Sequence, residues 1–291
     1  MQAPFGFVVI DKPAGLTSHA CVSRLRRCYG IKRVGHGGTL DPSVTGVLPI
    51  ALGPATRLLP YLPGDKTYRG VIQLGTTTNS DDLQGDILQT KPHPTLNWME
   101  LETALDRFRG PITQRPPQVS AVHINGERAH VRARRGEVMT IPARSVHIHR
   151  LQLLQWDIQT GQLELEVHCS AGTYIRSLAR DLGETLACGG CLASLRRTQA
   201  LGFEEHQARP LPELKDTPPT PMSPLGALRH LPSRQLNATE EIDWRCGRRV
   251  PLEKIEAETV IVLNTNGTMA GIGLHQGDKQ LQPKVVFDAA G

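Results

Sequence analysis

The sequence lacks any apolar run long enough to cross a membrane. In 291 residues, no stretch approaches the roughly 18 apolar residues that a transmembrane helix needs. Residues 1–12 also lack the charged head and the long apolar core of a signal peptide. Hydrophobic residues make up 39% of the chain, which suits a folded protein with a buried core. We therefore expect a cytoplasmic protein that has no membrane partner.

Cysteine is scarce, with six residues scattered along the chain. Disulfide frameworks are expected mainly in short secreted chains, so we predict reduced thiols. The pair Cys188-Gly-Gly-Cys191 has the spacing of a zinc or redox motif. A closed zinc site needs four ligands, however, and the sequence contains no second CxxC and no HxxxH. Small buried side chains are the favoured interpretation, and we predict no metal there.

Positive charge is concentrated in two parts of the chain. The net charge is +5, while residues 1–66 hold eight Lys/Arg against three acidic residues and residues 106–150 hold nine Arg against three. The second block includes a cluster of four arginines within eight residues: Arg128, Arg132, Arg134 and Arg135. Because arginine forms a planar fork that matches phosphate, this pattern indicates a polyanionic partner, most simply a nucleic acid. A solvated basic surface is the alternative.

Periodicity predicts both strands and helices. Strands are expected at 5–10, 47–52, 67–75 and 162–170, and helices at 18–29, 96–109 and 172–187. Thr17 or Ser18 can cap the first helix, which Gly30 ends. Thr95 is the expected cap of the second helix, whose buried stripe is Trp98, Leu101, Leu105 and Phe108. In the third, the expected stripe is Ile175, Leu178, Leu182 and Leu186.

Composition divides the chain into two expected domains. Residues 116–142 are basic and weakly periodic, which predicts a projecting loop or hairpin. Six prolines lie between 210 and 224, and they predict a linker or a peripheral wrap. Farther along the chain, Asn266-Gly267 is a strong hairpin signal between two β-rich segments. We predict a large domain at 1–232 and a small β-rich domain at 233–291.

The loop GHGGTLDPSVTG (residues 35–46) surrounds one carboxylate, Asp41, with small residues. A phosphate-binding loop would need Lys followed by Ser or Thr after the glycines, which this loop does not have. An aspartyl-phosphate enzyme would need a nearby acid for magnesium, and residues 42–64 contain none. Two readings stay open: a lone carboxylate nucleophile, and an Asx turn before Pro42.

Arg176 is an unusual residue for its place in the sequence. It lies in the first turn of a predicted helix, where the positive end of the helix dipole disfavours a cation. It also lies at the edge of the predicted buried stripe. The position indicates an anionic partner, either a phosphate or a carboxylate; a solvent-facing arginine is the alternative.

Several segments, in this order and spacing, match one family. They are KPAGLTS (12–18), GHGGTLDP (35–42), TGVLP (45–49), KTY (66–68), PPQVSA (116–121), GERA (126–129), CSAGTYIR (169–176) and LRRT (195–198). Together they resemble the motifs of the TruB family of tRNA pseudouridine synthases, and the resemblance extends from residue 5 to about residue 290. Two positions depart from the usual pattern, since Asn79 stands where many members carry Asp and His130 stands where Tyr is common.

The resemblance implies an α+β fold, with a mixed, largely antiparallel central sheet flanked by helices and a small PUA-like C-terminal domain. It implies isomerisation of uridine 55 in the T loop of tRNA, through a flipped-out base and without metal or organic cofactor. The expected partner is the T arm of tRNA, with no protein partner needed and a monomer expected. The rival readings are a catalytically silent RNA-binding protein or tRNA-folding chaperone, and a carboxylate hydrolase of small molecules.

The resemblance also assigns residues. Asp41 matches the nucleophile, which attacks C1′ of the ribose or C6 of the uracil. Tyr68 matches the tyrosine that stacks on the target base and is a candidate for removing the C5 proton, and Arg176 matches the arginine paired with the aspartate. Further matches to substrate-binding positions are His36, Tyr174, Leu195 and Asp82. The arginines 128, 132, 134 and 135 are expected to grip the RNA backbone from a mobile thumb that RNA orders.

Overall fold

The computed structural model describes most of the chain. The described residues are 4–120, 122–124, 126–129, 132, 135–137, 139–252, 257–275, 277 and 279–288. The α-helices whose bounds fall within these residues are α1 (Ser18–Tyr29), α2 (Trp98–Leu105), α3 (Ile175–Thr185), α4 (Pro224–Ala227) and α5 (Ala238–Arg245). Short 3-10 helices lie at Gly53–Tyr61, Asp106–Phe108 and Glu205–Gln207.

Nineteen strands occur in the described part of the chain. They are β1 (Gly6–Lys12), β2 (Val34–His36), β3 (Thr45–Leu52), β4 (Lys66–Leu74), β5 (Thr76–Thr78), β6 (Ile87–Thr90), β7 (Gly110–Gln114), β8 (His123–Ile124), β9 (Glu127–Arg128), β10 (Arg144–Asp157), β11 (Gln162–Cys169), β12 (Gly190–Ala200), β13 (Phe203–Glu204), β14 (Arg209–Pro210), β15 (Ser233–Gln235), β16 (Val250–Pro251), β17 (Thr259–Leu263), β18 (Met269–His275) and β19 (Gln280–Val286).

The main sheet has ten strands, with a path β14-β1-β3-β12-β4-β11-β10-β7 and with β2 and β13 paired to β3 and β12. Among its described pairs, β1 with β14 and β3 with β12 run parallel, while the others are antiparallel. The prediction of a mixed, largely antiparallel sheet flanked by helices is therefore confirmed. The strands at its centre, β3, β12 and β4, come from distant parts of the sequence.

Alternate residues of β1 enter two different cores. Val8 and Ile10 belong to the cluster that packs against helices α1, α2 and α3, and Phe7 and Val9 belong to a second cluster on the other side of the strand. That second cluster also contains residues of the C-terminal sheet such as Ile272. The main sheet is thus covered on both faces, and its second face contacts the C-terminal region.

A separate five-stranded sheet forms at the C-terminal end, in the order β15-β17-β18-β19-β16. Its hairpin turns at Gly267, which has a φ of 79°, so the expected turn and the β-rich character of this region are confirmed. It has its own apolar cluster around the fully buried Trp244. The division into two domains at residue 232 stays a prediction.

Several local predictions are confirmed. Thr17 caps α1 by accepting a hydrogen bond from the Ala20 amide at 3.0 Å, and Gly30 ends the helix in the left-handed conformation. In β11 the residues Leu163, Leu165, Val167 and Cys169 are buried and alternate with half-buried polar residues.

The second helix was predicted wrongly at both ends. Helix α2 begins at Trp98 and ends at Leu105, and its cap is Asn97, not Thr95. The reason is a capping box: Asn97 accepts from the Glu100 amide while Glu100 accepts from the Asn97 amide. Trp98, expected in the core, lies in the first turn and is 47% exposed. After Leu105 the chain tightens into a 3-10 turn.

Three remaining expectations concern the periphery. The proline-rich segment wraps onto the main sheet, because Met222 and Phe7 exchange backbone hydrogen bonds of 2.7 and 3.0 Å. The segment 116–142 contains the hairpin β8–β9, but residues such as His130 and Arg134 lie outside the described residues, as does the Arg128 side chain. No described helix is both long and apolar enough to cross a membrane.

Candidate active site

Backbone contacts on both sides hold the loop that carries Asp41. Leu40 donates its amide to Ser18 Oγ at 2.8 Å, and Lys12 Nζ donates to the Pro42 carbonyl at 3.1 Å. Ser18 and Lys12 are themselves buried. A glycine-rich segment that would be flexible by itself is therefore anchored one residue before and one residue after Asp41.

Two glycines of this loop make room for neighbouring chain segments. Gly46 has a φ of +103°, and a Cβ there would lie 2.2 Å from the Arg197 carbonyl oxygen on β12. A Cβ at Gly37 would lie 2.1 Å from Leu201 Cδ1. The small residues around Asp41 thus allow close packing of β3 against β12, in addition to any access that they give to a ligand.

Arg176 has the anionic partners that its helix position required. Its Nη2 lies 2.9 Å from Asp41 Oδ2 and its Nε lies 3.7 Å from Asp82 Oδ2. Nη1 donates to the Ser80 carbonyl and Nη2 to the Val119 carbonyl, each at 2.8 Å. Two carboxylates and two carbonyls therefore fix the orientation of this guanidinium.

The two members of the Asp41–Arg176 pair differ in exposure. The Arg176 side chain is 5% exposed, whereas the Asp41 side chain is 43% exposed. The guanidinium lies behind the carboxylate, and the carboxylate faces an opening. This arrangement makes the Asp41 side chain accessible to a ligand, while the cation that orients it is shielded from solvent.

Tyr68 lies close to this pair on β4, with a side chain that is 7% exposed. Burial raises the pKa of Tyr68, while the guanidinium of Arg197 opposes that rise. At neutral pH the phenol is therefore uncharged in the free protein. Its apolar ring and its hydroxyl give the site a stacking surface and a group that can exchange a proton.

Asp41, Tyr68 and Arg176 line one pocket of about 290 Å³. This volume lies at the lower end of the range for small-ligand pockets. Among its described lining residues, Lys66, Arg144 and Arg176 are cationic, and Asp41 is the carboxylate. The excess of positive charge favours an anionic ligand such as a nucleotide.

A larger pocket of about 770 Å³ adjoins the first. Asp41, Arg176 and Leu195 belong to both, and Asp82 lines the larger pocket. The catalytic candidates therefore lie where two cavities meet, which provides room for a ligand that extends beyond the smaller pocket.

Comparison with known proteins identifies the family. The model described as "TruB family pseudouridylate synthase (N terminal domain)" matches residues 26–175, and the one described as "tRNA pseudouridylate synthase B C-terminal domain" matches residues 176–220. The tRNA pseudouridine synthase B of Parasynechococcus marenigrum (strain WH8102) is 74% identical over 291 residues, covering both chains completely. The chain belongs to the TruB family.

Other relatives agree with this assignment. The tRNA pseudouridine synthase B of Synechococcus sp. (strain WH7803) is 65% identical over 300 residues, with both chains covered completely. Among solved structures, a chain from "Structure of H/ACA RNP bound to a substrate RNA containing 2'-deoxyuridine" aligns with a TM-score of 0.70 and 23% identity. That alignment covers 97% of this chain and 85% of the other, and it supports the fold alone.

Most of the residues that the TruB motifs single out come together. Asp41, Tyr68, Arg176, Tyr174 and Leu195 line the smaller pocket. Asp82 contributes to the adjoining pocket and contacts Arg176. Motifs that are far apart in the TruB sequence thus converge at one place, although their chemical roles stay predictions.

His36 and the thumb arginines lie elsewhere. His36 lines neither of the two pockets, and burial lowers the pKa of its imidazole. Arg132 pairs with Glu137 at 2.7 Å, and Arg135 pairs with Glu127 at 2.6 Å. In this structure of the TruB-family chain, Arg132 and Arg135 therefore bind acidic residues of their own segment.

Sequence reasoning overlooked two arginines of the site. Arg144 lines the pocket and stacks on Tyr174, with its guanidinium carbon 4.8 Å from the ring centroid. Arg197 is completely buried and donates to the carbonyls of Val47 and Gly38. The motif LRRT contains Arg197, but nothing in the motif distinguishes a buried arginine from an exposed one.

The pair Cys188 and Cys191 is buried, as expected for small core residues. Burial raises the pKa of Cys191 to about 11, so this thiol is protonated at neutral pH. Among the residues that the structure describes, no three His, Cys, Asp or Glu side chains are arranged to bind a metal ion.

Proposed function

We propose that this TruB-family protein converts uridine 55 in the T loop of tRNA to pseudouridine, with Asp41 as the nucleophile. One observation carries the proposal: Asp41 lies 2.9 Å from a buried Arg176 in a pocket that Tyr68 also lines. Membership of the TruB family and the activity of the relatives, which are named tRNA pseudouridine synthase B, support the reaction and the tRNA substrate. Position 55 is the site that the motif resemblance implies.

Asp41 has the access and the charge of a nucleophile. Its carboxylate is partly open to the pocket, and an adjacent guanidinium lies 2.9 Å from one of its oxygens. Attack at C1′ of the ribose or at C6 of the uracil both prepare the N1–C1′ bond for cleavage. Arg176, which is held by the Ser80 and Val119 carbonyls, keeps the attacking oxygens aligned.

The isomerisation is balanced without any other reactant. The N1–C1′ bond breaks and a C5–C1′ bond forms, N1 gains a proton and C5 loses one. No electrons leave the uridine, so neither an oxidant nor a metal is needed for the net reaction. The protein must only hold the detached base, rotate it against the ribose and accept the C5 proton.

Tyr68 is the candidate for accepting that proton and for supporting the base. Removal of a base from a folded loop costs a few kcal/mol, and stacking on an aromatic ring offsets about 1–3 kcal/mol per base. The pocket of about 290 Å³ suits one extruded base. Asp82, Tyr174 and Leu195 are proposed to complete the binding of the target nucleotide.

Contacts outside the pocket are proposed to bind the T arm. The thumb arginines 128, 132, 134 and 135 would contact phosphates, and His36 would pack where the target leaves the loop. The C-terminal five-stranded sheet is proposed to act as a PUA-like RNA-binding domain. We infer a cytoplasmic monomer that needs neither cofactor nor protein partner; a stable dimer in size-exclusion chromatography at micromolar concentration would contradict this.

The test uses T-loop RNA tritiated at the uracil C5 position, because isomerisation releases tritium to water. Asp41→Asn should abolish release while tRNA binding, measured by filter retention, stays within about threefold of the wild-type value. Asp11→Asn is the matched control, since Asp11 forms an exposed ion pair with Arg196 at 3.0 Å outside the pocket. It should retain the wild-type rate.

Two outcomes would contradict the proposal. Release by purified Asp41→Asn at a rate near that of the wild type would remove Asp41 from the mechanism. An equal loss of rate in both variants, with both folded by circular dichroism, would indicate a general sensitivity to charge instead of a nucleophile.

A further inference from the structure

Arg197 and Tyr68 occupy opposite positions on adjacent strands. Strand β12 runs antiparallel to β4, and the Cα of Arg197 is the register partner of the Cα of Tyr68. Side chains at opposite positions of an antiparallel pair project from the same face of the sheet. Arg197 is 0% exposed and Tyr68 is 7% exposed, so both side chains lie in the interior on that face.

Arg197 also contacts the loop that carries Asp41. Its Nε donates to the Val47 carbonyl at 2.8 Å and its Nη2 donates to the Gly38 carbonyl at 3.2 Å. Gly38 precedes Asp41 and Val47 follows it, so the two bonds span the loop. Strand β12, which pairs with the strand of Tyr68, is thus joined through the Arg197 guanidinium to both sides of the segment that carries Asp41.

The charge of Arg197 has no carboxylate partner among the described residues. Its Nη1 is buried and has no hydrogen-bond partner there. Burial lowers the pKa of Arg197, and its interaction with the Tyr68 phenol opposes this. Lys12, His36 and Lys66 are further titratable groups that interact with this guanidinium. Buried charges are ordinarily paired with an acid, so a buried guanidinium that is stabilised by a phenol is unusual.

The neighbouring arginine shows the contrast. Arg196 lies on the same strand but projects from the other face, where it pairs with Asp11 at 3.0 Å and with Glu205 at 2.5 Å. An arginine that only stabilised the strand could form ion pairs with acidic side chains, as Arg196 does. Arg197 instead directs its unpaired nitrogen to the side of the sheet that carries Tyr68.

We propose that Arg197 is a positioning residue for Tyr68, holding the phenol oxygen and stabilising the phenolate that accepts the C5 proton. The inference rests on the proposed function. A guanidinium can only donate hydrogen bonds, so in this proposal the unpartnered Nη1 donates to Tyr68 Oη when the phenol ionises, and Arg197 keeps its protons throughout. Arg176 orients the carboxylate of the reaction and Arg197 orients its base.

The proton transfer is balanced as follows. Tyr68 first releases its own proton to water. The C5–H bond then breaks and its electron pair forms the C5–C6 π bond, while the π pair between C6 and N1 moves to N1. N1 takes a proton from water, Tyr68 Oη takes the C5 proton, and the aromatic uracil ring is restored with its new C5–C1′ bond.

The experiment compares Arg197→Met and Arg197→Lys with the wild type in single-turnover isomerisation. T-loop RNA carrying either hydrogen or deuterium at C5 is used across a pH range. Arg109→Met is the matched control, because Arg109 also donates to a backbone carbonyl, that of Leu151 at 2.8 Å, but lines neither of the two active-site pockets. Thermal denaturation is recorded for every variant.

Arg197→Met should be about 10²-fold slower at neutral pH, the contribution expected of a positioned acid–base group. Its rise in rate with pH should move to higher pH, because the phenolate loses its cation, and its C5-deuterium isotope effect should exceed that of the wild type. Arg197→Lys, which keeps the charge, should recover part of the rate. Arg109→Met should lose stability while its pH profile and isotope effect match those of the wild type.

A slow Arg197→Met variant with the wild-type pH profile and isotope effect would overturn the proposal, since a structural role alone lowers the rate without changing either. The proposed function is judged separately, by wild-type tritium release and its loss in Asp41→Asn. If the Arg197 variants do not fold, Tyr68→Phe decides: the arginine side-chain NMR signals of Arg197 should shift relative to the wild type, and unchanged signals would overturn the proposal.

Discussion

Replacement of Arg176 by Met tests the centre of the proposed site. The substitution keeps an unbranched side chain of similar length and removes the guanidinium. The loss includes the 2.9 Å ion pair with Asp41, the 3.7 Å contact with Asp82 and the two 2.8 Å hydrogen bonds to the carbonyls of Ser80 and Val119.

The stability cost comes mainly from the two carbonyls. An unsatisfied buried acceptor costs about 1–3 kcal/mol, and the open pocket lets water replace part of each bond, so we expect a loss of about 2–4 kcal/mol in the free energy of unfolding. The ion pair adds little to this, because the Asp41 side chain is 43% exposed and solvent screens it. A fall of about 5–10 °C in melting temperature follows for a chain of this length.

The catalytic cost should be larger. Loss of a preorganised group that orients and stabilises charge in an active site lowers kcat by about 10²–10³. Single-turnover tritium release at saturating RNA measures this below the melting temperature of the variant. Arg176→Lys keeps the charge but offers fewer directed hydrogen-bond donors, so its rate should lie between those of the wild type and Arg176→Met.

Arg180→Met is the control. Arg180 lies one turn farther along α3, donates to the Arg115 carbonyl at 2.9 Å and pairs with Asp81 at 2.9 Å, but it does not line the pocket. It should lose comparable stability and keep a rate within about threefold of wild type. If Arg176→Met isomerises uridine at the wild-type rate, or if Arg180→Met is equally slow, the assignment of Arg176 to the reaction is wrong.

Three further predictions concern other parts of the chain. Gly46→Ala should lower the free energy of unfolding by about 3 kcal/mol or more, because its Cβ would lie 2.2 Å from the Arg197 carbonyl oxygen. The control is Gly226→Ala, at an open position, which should have little effect on stability in urea denaturation. Equal denaturation midpoints for the two variants would contradict the packing argument. Burial raises the pKa of Tyr29 to about 12 from its ordinary value of 10, so the unfolded state loses this proton first and stability falls by up to about 2–3 kcal/mol between pH 10 and 12. Tyr29→Phe should flatten that slope, and an unchanged slope would refute the assignment. Bound tRNA should slow tryptic cleavage within 116–142, and equal cleavage rates with and without tRNA would count against the proposed thumb.

The sequence alone determined the features that depend on near neighbours. Thr17 and Gly30 mark the ends of α1 because capping is decided within a few residues of each end. The alternation in β11 predicted which face is buried, and the Asn266-Gly267 pair predicted the turn between β17 and β18. The motif resemblance also grouped Asp41, Tyr68 and Arg176, which line one pocket, although no local pattern could give the distance between them.

The sequence failed where two local signals compete or where an element ends. Thr95 and Asn97 are both acceptable caps, and the reciprocal bond with Glu100 selected Asn97. Trp98 fits the helical stripe by its spacing, yet it is 47% exposed because the helix begins there. Helical period predicts which residues share a face, but the packing of the sheet decides how far along that face the core extends.

Only the tertiary structure decided which charges are buried at the site. Arg196 and Arg197 are adjacent and chemically identical, and a strand must point them to opposite faces. The register of β12 against β4 places Arg197 opposite Tyr68 and leaves Arg196 to pair with Asp11. That register is set by contacts between segments far apart in the chain, and the electrostatic environment of Asp41 and Tyr68 follows from it.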